Sequence, residues 1–401
     1  MPLSTRTGRI VLQQSGAEGY AAFIPAPLPP HPPIEYTPEL QRLLVAAGHA
    51  LGRLDGISAT IQPDRLLYMY IRKEAVLSSQ IEGTQSTLSD LLRYESAEAP
   101  GTSLDDVREV SSYVAALRYG VDEIRSGKLP LSLRLIREMH RTLMQEGRGA
   151  QNDPGEFRRT QNWIGGTRPG NARYVPPPPH EMLAALDNLE KFLHDQYGAT
   201  PPIVKAGLAH AQFETIHPFL DGNGRIGRLL ISLLLVVDGV LTQPFLYLSL
   251  YFREHRAEYY DALQRVRTHG DWEGWLHFYV TGVEAVARQA GQATLDLLAL
   301  FDEDRKRVQS LGRVAGTTLL MYDLLRERVI ISIPYAAREL DITWPTAKSA
   351  LQRLETLGIA KEISGRRRDR VYAYAKQLEI LDRGTDDHSR RRGQAPEVEG
   401  S

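Results

Sequence analysis

The chain has 401 residues, a length typical of two or three domains, and 42% of them are hydrophobic, which is enough to form buried cores. Its formal net charge is −1, so the overall charge does not indicate binding to nucleic acid or to an acidic membrane. There is no cysteine, which excludes disulfides, thiolate nucleophiles and cysteine-ligated zinc. The first residues lack a signal-peptide pattern, and the longest apolar run, 229–237, is shorter than the roughly 20 residues that span a bilayer. We therefore expect a cytoplasmic protein without membrane contact.

The fold class predicted from the pattern is mainly α. Residues 1–37 are proline-rich and predict an extended strap on the surface, whereas 38–100 predict helices, one of which ends near Glu82 and Gly83. Residues 101–300 predict a larger helical core. Its segment 155–179 is rich in turns and contains two short strand-like pieces, which is typical of a hairpin or flap. Helical patterns then resume over 180–197, 202–215, 225–238, 251–268 and 272–300.

The region 301–381 has a different pattern. Three helical segments, near 315–327, 334–340 and 344–357, are followed by two short strands around a basic turn, an order that resembles a winged helix-turn-helix. If this module binds DNA, the contacting side chains are expected to be Thr346, Lys348, Ser349, Arg353 and the basic wing 366–370. The alternative is a module that only packs against a neighbour or dimerises. Residues 382–401 are polar and predict a disordered tail.

The segment His217–Arg228 carries the chemistry. Gly222 and Gly224 flank Asn223 directly before a strongly apolar helix, and a glycine-rich turn at a helix N-terminus is an anion site. Arg225 and Arg228 share one face of the first helical turn and can bind further phosphate oxygens.

Two more residues of this segment complete the site. Asp221 can hold Mg²⁺ beside the phosphates, and His217 can serve as a base for a hydroxyl nucleophile. Each part alone has a structural explanation, such as an ordinary turn or a solvated helix face. Their occurrence within twelve positions makes those explanations improbable together.

This segment resembles the signature of the Fic family, His-x-Phe-x-Asp/Glu-Gly-Asn-Gly-Arg-x-x-Arg, at every specified position. The resemblance extends over about 40–290 and implies a Fic-type helical core. It implies that the enzyme is a protein adenylyltransferase using ATP with Mg²⁺ or Mn²⁺. The implied roles are the general base for His217, a buried anchor for Phe219, the metal ligand for Asp221, α/β-phosphate binding for Arg225 and γ-phosphate binding for Arg228. Asn223 and the backbones of Gly222 and Gly224 are implied to bind phosphate oxygens.

Two further parts of the site follow from the same resemblance. The flap residues Asn171, Ala172, Arg173, Tyr174 and Val175 match the family's hairpin, which registers a target segment by strand addition and covers the nucleotide. Tyr259 and Tyr260 match a pair that lines the family's adenosine pocket. The alternatives are an ordinary surface hairpin and two aromatic residues of the core.

An inhibitory segment is also indicated. Ser78, Glu82 and Gly83 match the family's pattern Ser/Thr-x-x-x-Glu-Gly/Asn, and a carboxylate at that helix end can pair with Arg228 in place of the γ-phosphate. The alternative is a solvent-exposed glutamate at a helix end.

The main hypothesis is therefore an enzyme that transfers AMP to a Ser, Thr or Tyr hydroxyl of another protein or of itself. The enzyme is expected to be inhibited by Glu82. A homodimer is compatible with it. One alternative is a DNA-binding regulator in which the Fic core is a sensor. Another keeps the fold but uses a different donor, phosphorylates the target, or removes AMP.

Overall fold

The computed structural model describes residues 6–15, 18–60, 63–95, 104–146, 149–194, 200–365, 367–368 and 370–383. Contacts divide the chain into two compact units, residues 1–85 with 103–294 and residues 86–102 with 295–401. Mainly helical architecture is confirmed. No helix among the described residues is long and apolar enough to cross a membrane.

The first unit begins with a β-hairpin that the sequence analysis did not predict. Strands β1 (Gly8–Ser15) and β2 (Glu18–Pro25) are antiparallel, with Gly8 opposite Pro25 and Ser15 opposite Glu18. The predicted extended strap is therefore paired over much of its described length, and the proline-rich stretch after Pro25 lies outside the two strands.

The helices of the first unit follow in chain order: α1 (Pro38–Thr60), α2 (Pro63–Ile81), α4 (Leu104–Arg125), α5 (Leu133–Leu143), α6 (Pro179–His194), α7 (Pro202–Ile216), α8 (Asn223–Val237), α9 (Ser249–Glu254) and α10 (Arg256–His269). The long helix α11 (Trp272–Gln309) begins in this unit and ends in the second. The helix predicted over 251–268 is interrupted at His255, whose backbone leaves the helical region.

Helix α7 forms the centre of the first unit. Every residue from Ile203 to Ile216 is buried, which is the pattern of a helix enclosed on all sides. It packs against α6, α8, α10 and β2. Helix α8 contributes a continuous buried run from Leu229 to Leu235, and burying each leucine of this run stabilises the fold by about 1.5–3 kcal/mol. The turn between α7 and α8 is thus held between two buried helices.

The second unit contains α3 (Leu88–Glu95), α12 (Ala315–Arg328), α13 (Ile333–Glu339), α14 (Trp344–Thr356) and α15 (Ala375–Asp382), with strands β3 (Ile330–Ser332), β4 (Ala360–Glu362) and β5 (Val371–Tyr374). The sheet is antiparallel in the order β3-β5-β4, so a third strand joins the two that the sequence predicted. Helix α3 packs on β3 through its buried leucines, which differs from the predicted grouping of 38–100 as one region.

The side chains proposed to contact DNA are only partly available in this unit. Arg353 Nη1 lies 3.5 Å from Thr318 Oγ1 of α12, and Lys348 and Thr346 are half-buried, while Ser349 is exposed. Arg366 lies outside the described residues, as does the predicted tail from residue 384 onward. The winged-helix assignment and DNA binding stay predictions.

Candidate active site

His217 ends α7 in an unusual backbone conformation. Its φ is 51° and its ψ 60°, the left-handed region that residues other than glycine seldom adopt. Its carbonyl oxygen accepts hydrogen bonds from Arg158 Nε at 3.0 Å and Asn162 Nδ2 at 3.3 Å. These two donors hold the strained residue in place and so fix the direction of its side chain.

The imidazole of His217 is in a cationic and largely buried setting. Burial, together with the positive charges of Arg267 and Arg158, lowers the pKa of His217 to about 3. Its Nδ1 lies 4.0 Å from Glu214 Oε2. The ring is therefore neutral at pH 7, which is the form that can accept a proton.

The loop after His217 is closed by Asn223. Phe219 N–H donates to Asn223 Oδ1 at 2.8 Å, and Asn223 Nδ2 donates to Phe219 O at 2.8 Å. Phe219 itself is fully buried, as predicted for the anchor of the loop. The amide of Asn223 is therefore committed to the loop. The backbone amides of the first turn of α8 have no intrahelical acceptor. The phosphate contact expected of Asn223 stays a prediction.

Gly222 is the N-cap of α8, with φ 76°, and its N–H donates to Asp221 Oδ1 at 2.6 Å. The Asp221 side chain is 45% exposed, so its carboxylate borders solvent at the mouth of the loop. The described part of the chain contains no cluster of three or more His, Asp or Glu side chains that could hold a metal ion. One half-exposed carboxylate does suit Mg²⁺, which is commonly bound through one or two carboxylates plus substrate phosphates.

Both arginines of the signature are buried and face inward. The Arg225 guanidinium lies 3.7 Å from Glu109 Oε2 and 3.7 Å from Asp221 Oδ1. Arg228, whose side chain is 2% exposed, donates through Nη2 to Glu82 Oε1 at 2.6 Å. It also donates through Nε to Ser78 Oγ at 2.8 Å. The predicted pairing of Glu82 with Arg228 is present.

The Glu82 carboxylate lies over the N-terminus of α8. A Cβ atom placed on Gly224 would be only 2.3 Å from Glu82 Oε1, so a side chain at this position would displace the carboxylate from where it lies. Burial alone would raise the pKa of Glu82, but the charge of Arg228, its hydrogen bond to Glu82 and the charge of Arg225 together outweigh this effect, and the pKa is lowered. Gly83 follows with φ 101° at the end of α2, as the sequence predicted. An anion therefore already occupies the place where a helix N-terminus and an arginine would hold a phosphate.

Comparison with known proteins identifies similar sequences and a similar fold. A family model described as Fic/DOC family N-terminal matches residues 41–122, and one described as Fic/DOC family matches residues 130–235. The second match contains the whole segment His217–Arg228. Protein adenylyltransferase Fic of Drosophila grimshawi is 32% identical over 221 residues, which is 54% of this chain and 42% of that protein. The Drosophila willistoni protein of the same name is 31% identical over 54% of this chain and 41% of its own length. The chain thus spans less than half the length of these curated relatives.

A solved structure extends the similarity in fold. The crystal structure of a Fic family protein from Desulfovibrio desulfuricans G20 superposes with a TM-score of 0.58 and 20% identity, covering 85% of this chain and 97% of that chain. At this identity the similarity concerns the fold.

The two tyrosines expected in the adenosine pocket of the Fic core have different surroundings. Tyr259 is 1% exposed, its OH lies 2.8 Å from His210 Nε2, and its ring stacks on Phe252 at 4.5 Å. Tyr259 therefore packs in the aromatic core, and its contact with the adenosine stays a prediction. Tyr260, one residue further around α10, is half-buried and lies within electrostatic range of Glu82 and Arg228. Of the two tyrosines, Tyr260 is the more accessible to a nucleotide.

The flap is less of a hairpin than the sequence suggested. Its strands reduce to one bridge, in which Ile164 and Tyr174 exchange two hydrogen bonds, and residues 169–171 form a short 3₁₀ turn that includes Asn171. Tyr174 is buried and donates to Thr215 O at 2.6 Å.

The flap's other residues have the following partners. Val175 O accepts from Phe23 N of β2 at 2.9 Å, Arg173 forms an exposed ion pair with Asp261, and Ala172 is half-buried. The outer edge of the flap at Val175 is therefore already paired with the N-terminal hairpin.

Three side chains that the sequence analysis did not single out hold the carbonyl groups of the signature loop. Arg158 and Asn162 bind His217 O, and Asn162 Nδ2 also binds Phe219 O at 2.9 Å. His140 Nε2 lies 3.0 Å from Asp221 O. The signal for His140 was a titratable residue on the apolar stripe of an amphipathic helix, one position after Met139. Arg158 and Asn162 lie in an irregular segment, where no periodicity indicates which side chains face inward.

Proposed function

We propose that this protein transfers the AMP moiety of ATP to a hydroxyl side chain of a protein and that Glu82 restrains the reaction. One observation carries the proposal. The Glu82 carboxylate lies over Gly224 at the start of α8 and is bound by Arg228, the position and the partner that an anionic phosphate would take. The name shared by the curated relatives, protein adenylyltransferase Fic, supports the same reaction.

The triphosphate would bind along the loop and the first turn of α8. Backbone amides at the helix N-terminus attract phosphate oxygens, and the helix dipole adds to this attraction. Arg225 would neutralise the α- and β-phosphates and Arg228 the γ-phosphate. Both arginines are buried, so solvent screens their charges only weakly. Tyr260 would contact the adenosine.

Asp221 would hold Mg²⁺ through its half-exposed carboxylate, with phosphate oxygens as further ligands. When bound, Mg²⁺ neutralises charge on the phosphates and aligns them. Gly222 N–H and Arg225 both lie close to the Asp221 carboxylate and limit the directions it can take.

The reaction joins the oxygen of the acceptor hydroxyl to the α-phosphorus. The bond from that phosphorus to the bridging oxygen breaks, pyrophosphate leaves, and the hydroxyl proton passes to the imidazole of His217. The pKa of about 3 applies to the site without nucleotide. The negative charges of bound phosphates raise the pKa of a neighbouring imidazole and so make His217 a stronger base.

Glu82 would restrain this reaction by competing for Arg228. With the carboxylate over Gly224, a γ-phosphate cannot reach the guanidinium, and the α-phosphorus is not aligned with the incoming hydroxyl. The N-terminal hairpin pairs with the flap at Val175, so we expect an acceptor segment to meet the flap elsewhere.

The experiment is incubation of the Glu82→Gly variant with ATP, MgCl₂ and a mixture of proteins, followed by mass spectrometry of the modified peptides. The proposal predicts AMP on Ser, Thr or Tyr side chains, and none when His217→Ala is added. Peptides that carry phosphate instead of AMP, or no modified peptide at all, would refute it.

A further inference from the structure

His140 lies beneath the signature loop and has no place in the reaction just described. It projects from α5, it is fully buried, and its ring stacks on Phe219 with a centroid distance of 3.7 Å and an angle of 4°. Both of its ring nitrogens have partners, one from the loop after α5 and one from the signature loop.

The hydrogen bonds of His140 determine which nitrogen carries the proton. Gly155 N–H can only donate, and it lies 2.8 Å from Nδ1, so Nδ1 is the acceptor. In the neutral ring Nε2 then carries the hydrogen and donates to the carbonyl oxygen of Asp221 at 3.0 Å. The backbone of Gly155 thus sets His140 as a donor toward Asp221.

The contact lies at the point where the backbone turns into α8. The residue after Asp221 is Gly222, whose φ is 76° and whose N–H returns to Asp221 Oδ1. A Cβ on Gly222 would lie 2.9 Å from Met144 Sδ and 3.3 Å from His140 Nε2, so the backbone passes close to both side chains. Holding the carbonyl of Asp221 therefore fixes the peptide plane that sets the direction of the Asp221 side chain.

We infer that His140 is a positioning residue that orients the Asp221 carboxylate through its hydrogen bond to the Asp221 carbonyl, and thereby sets the Mg²⁺-dependent part of ATP binding. This inference depends on the proposed function. It concerns a residue that touches neither nucleotide nor metal and acts only through Asp221.

The two nitrogens of His140 can be tested separately. In His140→Gln the amide nitrogen can reach the position of Nε2 and donate to Asp221, but nothing accepts from Gly155. In His140→Asn the amide oxygen can replace Nδ1 as the acceptor for Gly155, but nothing donates to Asp221. His180→Asn, at an exposed histidine of α6, is the matched control. All three changes are made in the Glu82→Gly background.

The measurement is the dissociation constant of ATP by calorimetry, with MgCl₂ and with chelator, on variants whose thermal unfolding shows that they fold. The Mg²⁺ effect is the ratio of the ATP dissociation constants measured with chelator and with MgCl₂. We expect this ratio to be at least tenfold smaller in His140→Asn, because groups that orient metal ligands typically contribute about 10–100-fold to metal affinity. The dissociation constant of ATP measured with chelator should stay within about twofold of the parent's value, because only the metal-dependent part of the affinity changes. His140→Gln and His180→Asn should keep the Mg²⁺ effect.

An unchanged Mg²⁺ effect in His140→Asn would overturn the inference. So would an equal loss in His140→Gln and His140→Asn, since that would assign the effect to the ring and not to the donor. If the parent itself showed no Mg²⁺-dependent ATP binding, the proposed function would fail and the inference with it.

Discussion

Replacing Glu82 by glycine should increase AMP transfer, although most substitutions near an active site weaken catalysis. Glu82 Oε1 is 2.6 Å from Arg228 Nη2 and lies over Gly224, so it occupies the position proposed for the γ-phosphate. Removing the side chain leaves Arg228 able to bind the triphosphate. It also leaves the first turn of α8 open to phosphate oxygens.

The size of the gain follows from the contact that is lost. A hydrogen bond between charged groups contributes about 1.5–3 kcal/mol. The Glu82 side chain is 38% exposed, so solvent screens part of the attraction, and we take about 2 kcal/mol, from the lower half of that range. Since 1.4 kcal/mol corresponds to about tenfold in an equilibrium constant, the aligned complex should become about thirtyfold more populated.

The assay is the initial rate of AMP incorporation by the wild type, Glu82→Gly, Glu82→Gln, Arg228→Ala and the double variant Glu82→Gly/Arg228→Ala. Glu82→Gln keeps the length of the side chain but removes its charge, and it should also be activated, to a smaller extent. Arg228→Ala should not be activated, because the phosphate loses its partner together with the inhibitor. The reasoning is wrong if Glu82→Gly is no faster than the wild type, or if its gain persists without Arg228.

Three further predictions concern single residues. His217→Ala should lower the rate by about 10²–10⁴-fold, because it removes the proton acceptor, while ATP binding measured by calorimetry remains. Asp221→Ala should lose the Mg²⁺-dependent rate, so a titration with Mg²⁺ that restores full activity would contradict its assignment as the metal ligand. Burial raises the pKa of Glu74 to about 7 from the usual 4.5. The stability contributed by its protonated form is therefore present below about pH 4.5 and lost as pH rises through 7. In Glu74→Gln the free energy of unfolding by denaturant should therefore fall by about 3 kcal/mol less between pH 4.5 and pH 7 than in the wild type. A plot of this free energy against pH that is as steep as that of the wild type would contradict the prediction.

The parts of the site that could be predicted are those that depend on short-range sequence. Gly222 and Gly224 before an apolar run predicted the start of α8, and Gly83 predicted the end of α2. The pairing of Glu82 with Arg228 joins residues 146 positions apart, and it was predicted only through the resemblance to the Fic pattern.

The surroundings that the sequence could not predict depend on which way each side chain faces. Tyr259 and Tyr260 are adjacent on α10, so about 100° of helix rotation separates a core residue from a candidate pocket residue. The sequence alone does not indicate which of the two faces α7. The phosphate contact of Asn223 was implied only by the resemblance to the Fic signature, whereas nothing in the sequence indicated that its amide binds the two main-chain groups of Phe219 and closes the loop.

The N-terminal hairpin was missed for a related reason. Ile10 and Leu12 of β1 are exposed, at 56% and 84%, so the strand does not follow the usual pattern of one apolar buried face. The prolines after Pro25 dominated the composition of the region and favoured an extended reading. Strand β1 is held by its pairing with β2, and β2 is held by the hydrogen bond from Phe23 N to Val175 O of the flap. Val175 lies 152 positions further along the chain, so no local pattern indicates this contact.

The central claim is that the α-phosphoryl group of ATP, with its adenosine, is what this protein transfers. Glu82→Gly should be incubated in parallel with ATP labelled at the α-phosphate and with ATP labelled at the γ-phosphate, and with the Glu82→Gly/His217→Ala variant as the control. The account predicts that protein is labelled only from the α-phosphate, and only when His217 is present. Protein labelled from the γ-phosphate would show phosphorylation and would contradict the claim. Protein labelled from the α-phosphate by the Glu82→Gly/His217→Ala variant would contradict the role of His217.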